Sequence, residues 1–309
     1  MLALFDVIFF VQYIYVFLIL GLYILEVYVI VQQERNRNQF RTPFFKLFVI
    51  GAILDINFEL LASVIHRIPM SPIMNGIYAG YEPSVAMSIL YGVVYYLPAA
   101  QEYLNIFIAL NRLTAIVFNA HHKTIWTYLT PTSIVFILSA PFVSVWYLFV
   151  CPIISIPVRE NNETYYIITA DVTNNFPGIS PPLRTAFLII GGATICLLLY
   201  SVTALWLRFV PGMSKVEVDK RLFYFGATLF VFNIPCATLQ MTLFLLGPTI
   251  DNLFFAYKCI PWLVDVKSLL PPILLFVYNK SIRNKIYEML SFKQRVVDRS
   301  MSRTVASRV

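Results

Sequence analysis

The sequence predicts an all-α membrane protein, a bundle of seven transmembrane helices followed by a short amphipathic helix. Composition is the first observation behind this prediction: 59% of the 309 residues are hydrophobic and only 13% are charged, about half the charged fraction of a typical soluble domain. The second is that the apolar residues occur in long blocks separated by short polar stretches. Together they argue against a water-soluble enzyme. The formal net charge of +7 does not indicate a nucleic-acid partner, because the excess cations flank apolar segments.

Seven apolar segments are each long enough to cross a bilayer, since a hydrocarbon core about 30 Å thick needs roughly 20 helical residues. The first segment precedes its flanking charges Arg35, Arg37 and Arg41, which is typical of a retained helix and not of a signal peptide. No internal repeat is visible, which weakens a transporter interpretation based on duplicated halves. The predicted segments are Val7–Val31, Pro43–Ile65, Pro83–Leu110, Leu129–Pro152, Arg184–Val210, Leu222–Gly247 and Phe255–Tyr278.

The distribution of cations predicts the orientation of the bundle. Eighteen of the 23 Lys and Arg residues fall in or beside the loops after the first, third and fifth segments, or in the C-terminal tail. Cytoplasmic loops are enriched in Lys and Arg, so we expect an outside N-terminus and a cytoplasmic tail. Residues 1–278 then form the transmembrane domain and residues 279–309 the tail. The sequon at Asn162 lies in the predicted outer loop, where it is expected to be glycosylated.

The long outer loop between the fourth and fifth segments, Ile153 to Leu183, is polar and large enough to fold over the mouth of the bundle. Cys151 and Cys259 both lie near the outer ends of their segments, in an oxidising compartment. A disulfide between them is therefore one expectation, although the sequence does not show that the two sulfurs meet.

Five ionisable residues inside the apolar segments stand out, because each costs about 2.5–3.5 kcal/mol unless it faces the bundle interior and finds a partner. Asp55 and Glu59 lie four residues apart and therefore on one helix face, and Asp55 and Asp265 both reach roughly the midplane. We expect Lys267 to pair with Asp55 or Glu59. Two interpretations stay open: the charges only fix the helices against each other, or they form a ligand, sodium or proton site. The five residues are Asp55, Glu59, Glu102, Asp265 and Lys267.

Two further patterns lie at the predicted cytoplasmic side. Arg112, after Asn111, ends the long third segment, where a cation with five donors can exchange helix contacts for partner contacts or simply reach the interface. In the seventh segment the pair Pro271-Pro272 removes two backbone donors and predicts a hinge. Beyond it, an amphipathic helix is expected to lie on the inner leaflet. Its apolar face comprises Ile282, Ile286, Met289 and Leu290.

The sequence contains no pattern for enzyme chemistry. His121 and His122 are adjacent with no third metal ligand nearby, and His66 is isolated. No His-Glu-x-x-His, phosphate-binding loop or Gly-x-Ser-x-Gly motif is present. We therefore expect a non-enzyme without a metal or a cofactor.

Several of these motifs are similar to those of a known receptor family. The Asn111-Arg112 pair and the interval from Pro272 to Ile282-Arg283 resemble G-protein-coupled receptors. More closely, the segments from Thr42 to Phe48, from Leu110 to Ile116 and from Asp265 to Arg283 resemble the nematode serpentine chemoreceptors of the Srg superfamily, nearest to the Srv or gamma class.

The resemblance implies a chemosensory receptor in the plasma membrane, or in that of a sensory cilium. It implies a small-molecule ligand (an odorant, pheromone or metabolite), a heterotrimeric G protein as partner and no nucleic acid. It also implies that Asn111, Arg112, Pro272 and Arg283 act in activation and coupling. Asn111 departs from the rhodopsin-like pattern, which usually has an acidic residue before the arginine. The alternative function is a seven-helix channel or transporter that uses the midplane charges.

Overall fold

The structure is a computed structural model, and it describes residues 4–36, 42–71, 75–78, 80–160, 163–177, 179, 181–209, 217–246 and 249–291. These residues form seven helices of 20 to 33 residues, as the sequence predicts. The long helices are α1 (Leu4–Asn36), α2 (Pro43–Ala62), α3 (Val85–Val117), α4 (His122–Val145), α6 (Pro181–Phe209), α7 (Glu217–Leu246) and α8 (Ile250–Tyr278). A single helical turn, α5 (Val172–Asn175), lies between α4 and α6.

Six of the long helices are long and apolar enough to cross a membrane. The exception, α3, is 33 residues long but is interrupted by polar residues such as Gln101, Glu102 and Asn105. It is also the central helix, because α2, α4, α6 and α7 all pack against it. A polar helix surrounded by apolar helices is the arrangement expected when buried polar groups satisfy each other away from lipid.

Two glycines allow close approach to α3. A Cβ atom at Gly51 of α2 would lie 2.9 Å from Leu104, and one at Gly92 of α3 would lie 2.8 Å from the ring of Phe149. Small residues at helix contacts are a usual feature of membrane bundles because backbones can then approach. The first turn of α3 is capped by Ser84, whose hydroxyl accepts a hydrogen bond from the amide of Met87.

The second helix continues beyond Ala62, where its regular α-helical part ends. It continues through a π-helical turn, Ser63–Arg67, and a short 3-10 turn, Ile68–Met70. A π turn contains one residue more than an α turn and is frequent at functional sites. Here it extends α2 beyond the predicted end at Ile65, so that Arg67 belongs to the bundle and not to the outer loop.

The loop after α4 folds into a β-hairpin, which the sequence analysis did not predict. Strands β1 (Ile153–Glu160) and β2 (Glu163–Ala170) pair antiparallel. Both strands are rich in β-branched residues, with two tyrosines in β2, and such residues favour extended structure. The hairpin covers one end of the bundle, termed the outer end below, because Tyr165 packs with Phe254 and Tyr257.

A helix of residues 280–291, α9, follows α8. The predicted apolar face exists, but it does not lie free on the leaflet: Ile282 and Ile286 are 0% and 3% exposed and belong to the main core. On the same face Met289 is partly buried against the core, and Leu290 is 51% exposed. Asn279 fixes the start of α9 by accepting hydrogen bonds from the amides of Ser281 and Ile282. The tail beyond residue 291 lies outside the described residues.

Candidate functional site

A buried ionic network joins three helices in the outer half of the bundle. Arg67 donates from Nη1 to Glu59 Oε1 at 2.6 Å and from Nη2 to Asp265 of α8. Tyr15 of α1 donates its hydroxyl to the other oxygen of Asp265. Arg67 is 1% exposed and Glu59 is fully buried. The network therefore ties α1, α2 and α8 together in the interior of the bundle.

The π turn explains how Arg67 reaches this position. Its Nη1 also donates to Ser63 Oγ at 2.6 Å, and its Nη2 lies 3.4 Å from the carbonyl oxygen of Pro261. Glu59, Ser63 and Arg67 follow each other at intervals of four residues, and such residues share a helix face. This spacing is the signal in the sequence that could have identified Arg67, which lies two residues beyond the predicted end of the second segment at Ile65.

Asp55 has a separate set of partners nearer the inner end. Tyr23 of α1 donates its hydroxyl to Oδ2 at 2.7 Å, and the amide of Gln101 in α3 donates to Oδ1. Asp55 is 5% exposed and Gln101 is 3% exposed. The two donors satisfy both carboxylate oxygens of this buried side chain. These bonds link α1, α2 and α3.

Lys267 does not pair with Asp55 or Glu59, so the predicted pairing is wrong. Its ammonium donates to Glu102 Oε1 of α3 at 2.7 Å and lies 3.3 Å from the carbonyl oxygen of Pro98. Lys267 follows Asp265 by two residues, and residues two apart on a helix do not share a face. Asp265 therefore faces α1 and α2, while Lys267 faces α3.

Asp55 and Lys267 nevertheless face one cavity of about 40 Å³. Its other polar lining residues are Tyr23, Gln101, Asn105 and Asn233. Since about 10–15 Å³ accommodates one water molecule, the space suits a few waters and is too small for an odorant-sized molecule. The structure thus brings four of the five predicted charges into two cross-helix networks, with the fifth, Asp55, bound to neutral partners beside the cavity.

Arg112 lies buried at the inner end of α3, with 4% of its surface exposed. The carbon of its guanidinium lies 3.9 Å from the centroid of the Phe44 ring in α2. Phe44 contacts Phe225 of α7 edge-on, with ring centroids 5.8 Å apart. Three helices therefore meet around one cation. Asn111 is buried beside it and 1% exposed.

The inner end of α8 is joined to α9 by Arg283. Its Nη1 donates to the carbonyl oxygens of Phe276 at 3.2 Å and Val277 at 2.8 Å. Cations near a helix C-terminus satisfy its last carbonyl groups and stabilise its dipole. Pro272 is buried inside α8, which remains helical through Pro271 and Pro272.

Comparison with known proteins decides the family. A family model described as serpentine type 7TM GPCR chemoreceptor Srv matches residues 12–292. The chain belongs to this chemoreceptor family. The predicted resemblance to nematode serpentine receptors is confirmed, and the receptor is a multi-pass protein of the plasma membrane.

The receptor is similar to serpentine receptors of Caenorhabditis elegans from two classes. Class gamma-20 is 22% identical over 274 residues, which cover 85% of this chain and 75% of that protein. Class V-1 is 33% identical over 93 residues, covering 30% of this chain and 29% of the relative. Class gamma-3 is 23% identical over 188 residues, which cover 60% of this chain and 51% of that protein. The chain thus spans less than two thirds of the length of two of these relatives.

The disulfide predicted between Cys151 and Cys259 is wrong, because the receptor carries both as free thiols. Cys151 is buried in the main core, whereas Cys259 packs against a separate cluster with Leu239 and Leu243. Burial raises the pKa of the Cys151 thiol to about 11, and the charge of Asp171 acts in the same direction.

Several polar residues of the receptor were missed by the sequence analysis. Tyr15, Tyr23 and Gln101 carry no charge, so the apolar pattern did not mark them. Glu26 is 0% exposed within α1, and its acidic side chain was overlooked near the end of the first segment. Asn162, the predicted glycosylation site, lies outside the described residues, and its modification stays a prediction.

Proposed function

We propose that the receptor binds a small-molecule odorant, pheromone or metabolite in the outer half of the bundle, signals to a heterotrimeric G protein and catalyses no reaction. Membership of the Srv family supports a chemoreceptor of the G-protein-coupled type. The observation that carries the coupling proposal is Arg112, which is buried at the inner end of α3 and stacked on Phe44.

In the resting state, the contact of Arg112 with Phe44 holds the inner end of the bundle closed. A desolvated cation over an aromatic ring contributes about 2 kcal/mol, and loss of that energy changes the ratio of closed to open receptor about 30-fold. Movement of α7 takes Phe225 away from Phe44. Phe44 can then move off Arg112, which becomes free to contact the backbone of a partner. A ligand drives this change by binding more tightly to the open state than to the closed one.

The outer networks provide the connection from the ligand to this contact. The pair of Lys267 and Glu102 joins α8 to α3, and the pair of Arg67 and Asp265 joins α8 to α2. Displacement of α8 by a ligand therefore acts on both helices that hold the Arg112 contact. The Pro271-Pro272 pair lies between these networks and the inner end, where a hinge would transmit the motion.

The coupling proposal is tested in cells that express the receptor at matched surface levels with a G-protein dissociation sensor and a broad odorant and metabolite panel. We expect Arg112→Ala to abolish responses and Phe44→Leu to raise basal activity. Arg208→Ala is the matched control, because Arg208 also lies over a phenylalanine ring, that of Phe209, but on an exposed helix face. Unchanged signalling in Arg112→Ala would disprove the switch role.

The alternative of a channel or transporter predicts current or flux. Among the described residues, the cations Arg67 and Lys267 are both bound to carboxylates, which accounts for their burial without an ion pathway. We therefore expect no ligand-dependent current in G-protein-free membranes. A saturable current there would favour the channel.

A further inference from the structure

A second cavity lies between α3, α4 and α6, in the outer half of the bundle. Its volume is about 40 Å³. Its lining includes the cations Arg184 and Lys267 and four residues with hydroxyl groups, Tyr95, Ser144, Tyr147 and Thr185. The remaining lining residues are apolar, and none of them is acidic.

Arg184 is the cation of this cavity that remains available to a ligand. Lys267 is already neutralised by Glu102, 2.7 Å away. Arg184 lies over the ring of Tyr147, with its guanidinium carbon 5.3 Å from the ring centroid. Among the described residues, no ion pair joins Arg184 to a carboxylate. A guanidinium with adjacent hydroxyl groups is the donor set that recognises a carboxylate through charge-assisted hydrogen bonds.

The size of the cavity restricts what it can hold. Space of about 40 Å³ corresponds to only a few water-sized groups, enough for a carboxylate head but not for a complete ligand. The rest of the molecule must lie outside. α4 and α6 both pack on α3, and the residues next to the cavity-lining Ser144 and Leu188 are apolar and exposed: Val143 of α4 is 77% exposed and Phe187 of α6 is 65% exposed.

A ligand that enters from the outer end of the bundle has a less direct route to this cavity. The β-hairpin covers it, and Tyr257 of α8 donates its hydroxyl to the carbonyl oxygen of Ile168 in β2. Lys258 pairs with Glu160 of β1 at 2.8 Å. A hairpin held at two points restricts passage from water, whereas the apolar surface of α4 and α6 adjoins the hydrocarbon of the bilayer.

From these observations we infer that the receptor takes an amphiphilic carboxylic acid, with its head group on Arg184 and its hydrocarbon chain along the lipid-facing surface between α4 and α6. The inference rests on the proposed function only where it makes this acid a stimulus of the receptor. Binding of the acid itself does not depend on the G protein. The hydroxyl groups of Ser144 and Thr185 complete the head-group site.

Binding is tested with the purified full-length receptor in lipid nanodiscs, using radiolabelled dodecanoate as the probe and empty nanodiscs to subtract partition into lipid. We expect saturable binding that methyl dodecanoate does not displace, because the ester lacks the charge. Arg184→Gln should weaken binding about tenfold or more, the usual effect of losing a charge-assisted bond. Arg184→Lys should retain part of the affinity.

The matched control is Arg159→Gln, which removes another arginine of the outer side, on β1, without touching the cavity. Thermal unfolding of each variant verifies folding. Equal displacement by the ester and the acid, or wild-type affinity in Arg184→Gln, would overturn the inference, as would absence of saturable binding to the folded wild-type receptor. Saturable, Arg184-dependent binding without nucleotide exchange on any G protein would support the inference while refuting the proposed coupling.

Discussion

Replacement of Arg67 by methionine tests whether the outer network is a structural necessity. Arg67 and Glu59 have side chains 1% and 0% exposed, and the side chain of Asp265 is 6% exposed. Removal of the guanidinium leaves two buried carboxylates without their counterion. Breaking a buried ion pair from one side costs about 3–5 kcal/mol, and we expect the upper part of this range because two pairs are lost together.

The control is the ion pair of Lys258 and Glu160, whose side chains are 29% and 36% exposed. Partly solvated pairs contribute about 0.2–1 kcal/mol, so Lys258→Met should have little effect. The free energy of unfolding is measured by titration of mixed micelles with dodecyl sulfate, followed by tryptophan fluorescence. A third variant replaces Arg67, Glu59 and Asp265 together by Met, Met and Leu and should regain most of the loss, because no buried charge is left unpaired.

The result that would refute this reasoning is a cost below about 1 kcal/mol for Arg67→Met, equal to that of Lys258→Met. Such a result would mean that water reaches the carboxylates once the arginine is removed. Failure of the triple variant to recover would instead indicate that Arg67 contributes through the shape of the π turn.

Three other predictions concern packing, the hairpin and a thiol. Gly92→Ala should cost about 1–3 kcal/mol in the same titration, because its Cβ would lie 2.8 Å from the Phe149 ring, whereas Gly191→Ala, with no atom within 4 Å of its Cβ, should have no destabilising effect. Tyr257→Phe removes the hydrogen bond to Ile168 and should speed proteolytic cleavage of the hairpin in intact vesicles relative to Tyr128→Phe, a change on an exposed face. Cys151 is fully buried and its pKa is raised to about 11, so its alkylation at pH 8 should be at least about 100-fold slower than that of an exposed thiol and should accelerate as the pH rises towards 11; a rate independent of pH would contradict this.

Much of the architecture follows from local properties of the chain. The predicted segments correspond to all seven long helices, although polar residues interrupt the third, which also extends beyond its predicted end at Leu110 to Val117. The loop to α4 is consequently short. Trp126 of α4 donates to the hydroxyl of Thr114 in α3 at 2.8 Å, which favours continued helix beyond the apolar segment. The hairpin was missed because its strands lie in a stretch judged by polarity and not by β-propensity.

The sequence by itself determined the class of molecule, the long helices and the presence of costly charges within the bundle. It did so because hydrophobic length and the cost of burying charge are properties of individual segments. Only the tertiary structure decided that Lys267 meets Glu102, that Arg67 joins Glu59 to Asp265, that Arg112 lies on Phe44 and that Arg184 faces a cavity. Each of these contacts depends on the rotation of one helix against another, and that rotation is set by packing among residues far apart in the chain.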